Sequence, residues 1–151
     1  MTLGKRIAAV AGAVIVGVGV GLGGRALVLH LRGGGRPVTD EGLRRLAARM
    51  NAALPLRIDS DTRLDDVTAG HEQFTYHYTI LHYRADQLDH TRFRRYLRPL
   101  LIKRLCASEN LDLFVKDHVA VVYRYSGRDG GAVARIRIRP LDCSAVKPKV
   151  E

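Results

Sequence analysis

The sequence predicts an α+β fold in which a single N-terminal transmembrane helix precedes a small domain of two helices packed on an antiparallel sheet of about four strands. Three observations support this prediction. Residues 7–24 contain no charged side chain, two later segments repeat apolar residues with helical spacing, and several others alternate apolar with polar residues as strands do. With 151 residues, 46% hydrophobic and 26% charged, the chain has room for one globular domain.

Composition divides the chain into segments. They are a cytoplasmic N-terminus (1–6), a transmembrane anchor (7–31), a glycine-rich linker (32–38), the α+β domain (39–143) and a polar tail (144–151). The anchor is long enough to cross a hydrocarbon core of about 30 Å. A cleaved secretory signal is the alternative, but its apolar core would be shorter and a polar mature start would follow it.

Small residues recur along one face of the anchor. Ala13, Gly17 and Gly21 are spaced four apart, and this spacing lets two membrane helices approach closely. The same residues would pair two anchors into a homodimer, unless the Ala and Gly content reflects composition alone. Basic residues flank the anchor on both sides, so charge does not set its orientation.

The cysteines indicate the compartment of the domain. Cys106 and Cys143 are the only two in the chain, and both follow the anchor, as expected for a domain in an oxidising compartment. The prediction is therefore a single-pass protein of the bacterial inner membrane whose domain faces the periplasm.

The domain begins with an amphipathic helix. Thr39 can cap it, Asp40 and Glu41 occupy its first turn, and Pro55 ends it. Its apolar stripe comprises Leu43, Leu46, Ala47, Met50 and Leu54. The strand patterns that follow are two short extended pieces at 56–58 and 64–70 and a longer alternating run at 74–83.

A second helix follows the long strand. Asp86 or Asp89 can cap it, and Pro99 within it predicts a kink or a break about one turn earlier. Its apolar stripe comprises Phe93, Leu97, Leu100, Leu101 and Leu105. We expect a loop after this helix. Two strands joined by a turn rich in Gly and Asp complete the domain, at 119–125 and 133–139.

Several stretches of the domain resemble a group of small bacterial membrane-anchored envelope proteins. They are DSDTRLDDV at 59–67, FTYHYTILHY at 74–83, the leucine-rich second helix closed by Cys106 and the final hairpin closed by Cys143. The resemblance covers about Met50 to Cys143 and brings no catalytic residue with it. It implies a cysteine pair that ties the second helix to the segment after the last strand. The Asn-Gly that the group usually carries before the third strand is Asp117–His118 here.

The positions of the two cysteines also predict a disulfide without the resemblance. Cys106 and Cys143 each border a regular element, so a bond between them would close the hairpin onto the second helix. Two buried free thiols, which behave as small apolar side chains, are the alternative.

The chemically suggestive residues do not form a known catalytic or metal-binding motif. Four aspartates within 59–66 invite a calcium site, but Leu64 stands where an EF-hand requires glycine. His77 and His82 lie on opposite faces of one strand, so they do not converge as zinc ligands must. We therefore predict no catalytic residue, no metal and no cofactor.

Positive charge is the stronger indication of function. The chain carries 25 Lys and Arg against 15 Asp and Glu, a formal net charge of +10. Arginines on the second helix and along one face of the last strand are the predicted anionic-surface residues: Arg92, Arg94, Arg95, Arg98, Arg135, Arg137 and Arg139. Phospholipid headgroups are the nearest polyanions for a domain beside a membrane. Solvated arginines without a partner are the alternative interpretation.

These observations predict a non-enzymatic, membrane-anchored envelope protein whose extracytoplasmic domain binds another envelope component or the anionic membrane surface. The alternative is a membrane-tethered nucleic-acid-binding protein, in which the arginines contact phosphates and Tyr76, Tyr78 or Tyr123 stack on bases. The cysteine pair favours the first hypothesis, because it places the domain outside the cytoplasm.

Overall fold

The computed structural model describes residues 38–108 and 111–144, which form an α+β domain of four helices and five strands. The helices are α1 (Asp40–Asn51), α2 (His90–Cys106), α3 (Leu111–Lys116) and α4 (Pro140–Ser144). The strands are β1 (Leu56–Arg57), β2 (Thr62–Gly70), β3 (Gln73–Ile80), β4 (Ala120–Ser126) and β5 (Ala132–Ile138). The predicted loop after Cys106 contains the short helix α3.

The five strands lie in the order β1-β2-β3-β4-β5, and β3 and β4 are parallel while the other neighbours are antiparallel. The prediction of an antiparallel sheet of about four strands is therefore wrong. The physical reason is α2, whose 17 residues span about 25 Å at about 1.5 Å per residue. That length carries the chain back along β3, so β4 enters the sheet from the same end as β3.

The predicted transmembrane helix at 7–31 lies outside the described residues. Across 38–108 and 111–144, none of the helices combines the length and the apolar composition needed to cross a bilayer. The predicted fold class is therefore corrected to an α+β domain with a mixed five-stranded sheet. The proposed helix-pairing residues Ala13, Gly17 and Gly21 also lie outside the described part of the chain.

The first helix begins where the sequence predicts it and ends at Asn51, ahead of the predicted end at Pro55. The hydroxyl of Thr39 accepts a hydrogen bond from the Gly42 N–H at 3.1 Å and caps the N-terminus. Leu43 and Ala47 are buried, and α1 packs against β2. At its end, Asn51 bonds the backbone of Val67 in β2.

The second helix is capped by Asp89, whose carboxylate accepts from the Arg92 N–H at 2.9 Å. Phe93, Leu97 and Leu101 form its buried stripe. The helix runs through Pro99 without the break that the sequence predicts as one alternative. The buried stripe lies on both sides of Pro99, so packing against the sheet holds the two halves in one helix.

One face of the sheet carries the core, and α1 and α2 both pack on it. Its buried members on β3, β4 and β5 include Phe74, Tyr78, Ile80, Val121, Tyr125, Ile136 and Ile138. Successive strand residues point to opposite faces, so the residues between them lie on the other face. That face, opposite α1 and α2, holds the polar residues that the strands contribute to the candidate site, and the start of α2 contributes the others.

The structure contains the disulfide that the sequence predicts. Cys106 at the end of α2 is bonded to Cys143 in α4, with a Cα–Cα distance of 5.4 Å. Beside it, Arg98 donates to the carbonyl of Arg137 at 2.9 Å and lies 3.5 Å from the carboxylate of Asp142. The bond and these contacts together fasten α4 and the end of β5 to α2.

Candidate functional site

A cavity of about 480 Å³ opens where β4, β5 and the start of α2 meet. Basic side chains make up half of the lining residues that the structure describes, and no acidic side chain belongs to that part. The basic members are His77, His90, Arg94, Arg124 and Arg135. An excess of cationic groups with room beside them is an electrostatic site for an anion.

Three of these residues form a row across the sheet, which we call the basic row: His77, Arg124 and Arg135. His77 of β3 lies directly beside Arg124 of β4, and Arg124 lies beside Arg135 of β5. Directly opposed side chains on neighbouring strands have Cβ atoms about 5 Å apart, and like charges there destabilise the sheet. In the described residues no carboxylate forms an ion pair with Arg124 or Arg135.

The turn between β4 and β5 brings the start of α2 to the basic row. The carboxylate of Asp129 accepts from the Ala85 N–H at 3.0 Å, and the Arg128 N–H donates to the Tyr83 carbonyl at 2.8 Å. Gly127 permits this approach, because a Cβ atom there would lie 2.4 Å from the Ala85 nitrogen. The segment before α2 is thereby pinned to the turn.

The carboxylate of Asp129 accepts hydrogen bonds from backbone N–H groups and forms no ion pair with the arginines of the cavity lining. The hydrogen bond from the Ala85 N–H, followed by that from Gly131 and by the nearby Arg84, lowers the pKa of Asp129 below its ordinary value of 3.8. The ionised carboxylate therefore acts as a structural acceptor that joins the turn to the segment before α2.

On the other side of His77, Asp66 of β2 lies directly beside it, and the carboxylate of the neighbouring Asp65 is engaged by other side chains. Asp65 of β2 forms an ion pair with Arg63 and accepts from the hydroxyl of Thr79 at 2.5 Å. His77 itself lies 3.0 Å from the hydroxyl of Thr68 through Nε2. These contacts keep the carboxylate of Asp65 on β2 and leave the β4 and β5 side of the face positive.

The structure brings together some of the predicted anionic-surface residues and separates others. Arg94 and Arg135 line the cavity. Arg98 is bonded to Arg137 and Asp142, so it fastens elements rather than facing an open site. The remaining predicted residues are exposed and lie outside the cavity lining: Arg92, Arg95, Arg137 and Arg139.

Sequence reasoning missed His77, His90 and Arg124. His77 reads as an ordinary strand residue, and Arg124 is a lone arginine within a strand pattern. Both join the site only through the pairing of β3 with β4, which no local pattern specifies. Within the described residues, no group of His, Cys, Asp or Glu side chains could hold a metal ion.

The tyrosines proposed as base-stacking residues lie on the opposite face of the sheet from the basic row. Tyr78 is buried and stacks on Tyr125, with ring centroids 5.0 Å apart. Tyr76 and Tyr123 stack on each other at 5.5 Å and pack against the core. A surface that binds single-stranded nucleic acid combines basic and aromatic groups in one groove, and this arrangement separates them.

Comparison with known proteins identifies relatives of the fold. No protein-family model and no curated protein sequence matches the chain. A candidate secreted protein from Pseudomonas aeruginosa shares 19% sequence identity and superposes with a TM-score of 0.57, covering 72% of this chain and 99% of that one. The pilotin EpsS of the Vibrio vulnificus type 2 secretion system shares 11% identity with a TM-score of 0.56, covering 73% and 93%. At these identities, the similarity is one of fold.

Proposed function

We propose that the protein is a non-enzymatic component of the bacterial cell envelope that resides outside the cytoplasm. We propose further that it binds the anionic phospholipid surface with its arginine-rich face, the face of the sheet that carries Arg124 and Arg135. The observation that carries this proposal is the direct opposition of Arg124 and Arg135, with Arg94 lining the same cavity. This arrangement costs folding free energy in the free protein, and an external anion would offset that cost.

Two further observations support the location. The bond between Cys106 and Cys143 joins the only cysteines of the chain, and such bonds persist in oxidising compartments. The fold is also shared with a candidate secreted protein and with a pilotin of a secretion system. The separation of basic and aromatic surfaces makes nucleic acid the less suitable partner.

Cosedimentation with lipid vesicles tests the binding. We expect residues 32–151, which leave out the predicted anchor, to sediment with vesicles rich in phosphatidylglycerol and to remain in solution with phosphatidylcholine vesicles. Raising the salt concentration should release it, because exposed charges are screened over about 8 Å at physiological ionic strength. Equal sedimentation with both vesicles would contradict the proposal.

A matched pair of variants assigns the binding to the arginine-rich face. Arg124→Ala and Arg135→Ala together should reduce binding to the anionic vesicles, since each basic residue near such a surface contributes about 1 kcal/mol. Arg44→Ala with Arg49→Ala is the control, because it removes the same two charges from exposed positions on α1, which packs at the β2 side of the sheet. An equal loss in both proteins would mean that net charge alone drives the binding.

Thiol trapping tests the location. When the full chain is produced in bacterial cells and alkylated at the moment of lysis, we expect Cys106 and Cys143 to resist alkylation until a reductant is added. Two alkylated thiols in the untreated sample would contradict a location outside the cytoplasm, and mass spectrometry distinguishes the two states.

A further inference from the structure

We propose that the cavity bounded by α2, β4 and β5 binds a phosphoryl group that carries two negative charges, as in a phosphomonoester. The inference rests on the proposed function, because it assigns a ligand chemistry to part of the same basic surface. The inference is more specific than the proposed function, because it assigns recognition to one cavity rather than to the whole arginine-rich face.

The dimensions of the cavity suit a small ligand. Its volume of about 480 Å³ lies within the range of about 300–1,000 Å³ that is common for small-molecule sites. This space exceeds the need of one phosphoryl group. An ester substituent therefore has room beside the phosphoryl oxygens.

The charge of the lining favours a phosphoryl dianion over a carboxylate. One arginine can pair with a carboxylate through two parallel hydrogen bonds. Arg94, Arg124 and Arg135 offer three guanidinium groups, which match the several oxygens and the double charge of a phosphomonoester. No acidic side chain in the described lining competes for them.

The positions of the basic groups are set by regular structure. Arg124 and Arg135 stand on paired strands, and Arg94 is on the second turn of α2. His90 lies 2.7 Å from the Ala85 carbonyl through Nε2, so this nitrogen donates and the ring is oriented beside the cavity. Sites built on strands and helices hold their geometry better than sites on loops. The backbone that carries these basic residues is therefore already ordered before an anion binds, which lowers the entropic cost of binding.

Protection of the sheet edge against pairing with other chains does not by itself account for these arginines. Charged residues on an edge strand prevent unwanted pairing with other chains, and Arg137 and Arg139 on the β5 side fit that role. Arg124 belongs to β4, which has a neighbour on both sides, so it protects no edge. A polar neutral residue at this position would satisfy a solvent-facing strand without opposing Arg135.

Thermal unfolding with inorganic phosphate tests the inference in the full-length protein. We expect phosphate to raise the unfolding temperature more than chloride does at equal ionic strength, since a ligand that binds only the folded state stabilises it. Titration calorimetry with the same ion gives the affinity. Arg124→Ala or Arg135→Ala should weaken phosphate binding at least tenfold, while Arg49→Ala leaves it unchanged.

The unfolding temperatures of these variants without phosphate show whether the arginines bind a ligand or stabilise the fold. Removing Arg124 relieves a like-charge contact, so the unfolding temperature without phosphate should stay the same or rise. Loss of phosphate binding together with retained or increased stability supports the inference. Equal effects of phosphate and chloride, or undiminished phosphate binding in both cavity variants, would overturn it.

Vesicles of equal surface charge distinguish the source of the phosphoryl group. Stronger binding to phosphatidic acid, a monoester, than to phosphatidylglycerol, a diester, would support a lipid headgroup as the ligand. Equal vesicle binding with measurable affinity for inorganic phosphate would support a soluble phosphate. Phosphate binding without any vesicle binding would refute the proposed function alone, whereas vesicle binding that depends on Arg124 and Arg135 but comes without any phosphate binding would refute this inference alone.

Discussion

The side-chain amide of Asn51 forms two hydrogen bonds with the backbone of Val67, as a neighbouring strand would. Its Nδ2 group donates to the Val67 carbonyl at 2.8 Å, and its Oδ1 atom accepts from the Val67 N–H at 2.8 Å. β1 pairs with β2 only at Leu64 and Arg63, so the outer edge of β2 would otherwise lack partners at Val67. One residue at the end of α1 thus completes the sheet edge and docks the helix.

Replacing Asn51 should therefore destabilise the domain. We expect Asn51→Ala to lower the free energy of unfolding by about 2 kcal/mol, because two partly buried backbone groups lose their partners. Asn51→Asp, which keeps only the acceptor, should lie between this variant and the natural protein. Urea denaturation followed by circular dichroism measures the differences.

The neighbouring Arg49→Ala is the control for this measurement. Arg49 is exposed on the same helix, so its removal should change the free energy of unfolding by less than about 0.5 kcal/mol. If Asn51→Ala and Arg49→Ala had equal stability, the amide contacts with Val67 would not contribute to it.

At the scale of elements, α2 connects the core, the cavity and the disulfide. One side of it buries Phe93, Leu97 and Leu101, while Arg94 on another side lines the cavity. Its last residue, Cys106, is bonded to α4. The position of Arg94 relative to the basic row therefore depends on how well both ends of the helix are fastened.

Removing the disulfide should cost much of the stability of the domain. The bond joins residues separated by 37 positions, and the loss of chain entropy in the unfolded state for such a loop is worth about 4 kcal/mol. Cys106→Ser with Cys143→Ser should thus unfold at a markedly lower urea concentration. Far-ultraviolet circular dichroism measures the transition.

Reduction provides the internal comparison for the disulfide. Adding reductant should shift the transition of the natural protein toward that of the double variant and leave the double variant unchanged. A natural protein whose transition ignores reductant would show that the bond contributes no measurable stability.

At the scale of the whole molecule, a block of stacked tyrosines links the two central strands. Tyr76 stacks on Tyr123, and Tyr78 stacks on Tyr125. Burial raises the pKa of Tyr76 to about 12 and raises the pKa of the other three well above the ordinary value of 10.0. The folded state therefore binds protons more tightly than the unfolded state does.

The domain should consequently lose stability in alkali. Because the folded pKa values are raised, their contribution is complete below pH 10 and falls as the pH rises above it. Tyr76→Phe should reduce the loss between pH 10 and 12 by about 2 kcal/mol, as its hydroxyl no longer ionises. Urea denaturation at several pH values measures the effect.

An exposed tyrosine serves as the control. Tyr96 is 40% exposed on α2, so Tyr96→Phe should leave the alkaline loss of stability unchanged. If both variants lost stability in the same way as the natural protein, the buried hydroxyls would not be the groups that titrate.

Several features of the fold were accessible to sequence reasoning because they depend on local physics. The cap at Thr39, the stripe of α1, the cap at Asp89 and the alternation of β3 follow from side chains within a few residues of each other. The disulfide also followed, since it joins the only two cysteines. The turn at His118 tolerates the departure from Asn-Gly by placing histidine at φ 54°.

The sequence by itself determined the two long helices, the main strands and where positive charge accumulates, because periodicity and composition are carried by the residues themselves. It did not predict the short helices α3 and α4. Only the tertiary structure decided that β3 and β4 are parallel and that His77, Arg124 and Arg135 form one row. Alternation shows which face a side chain takes but not which strand lies beside it. The parallel pairing of β3 and β4 depended on α2, which returns the chain to the start of β3. The same helix places Arg94 in the cavity beside the basic row.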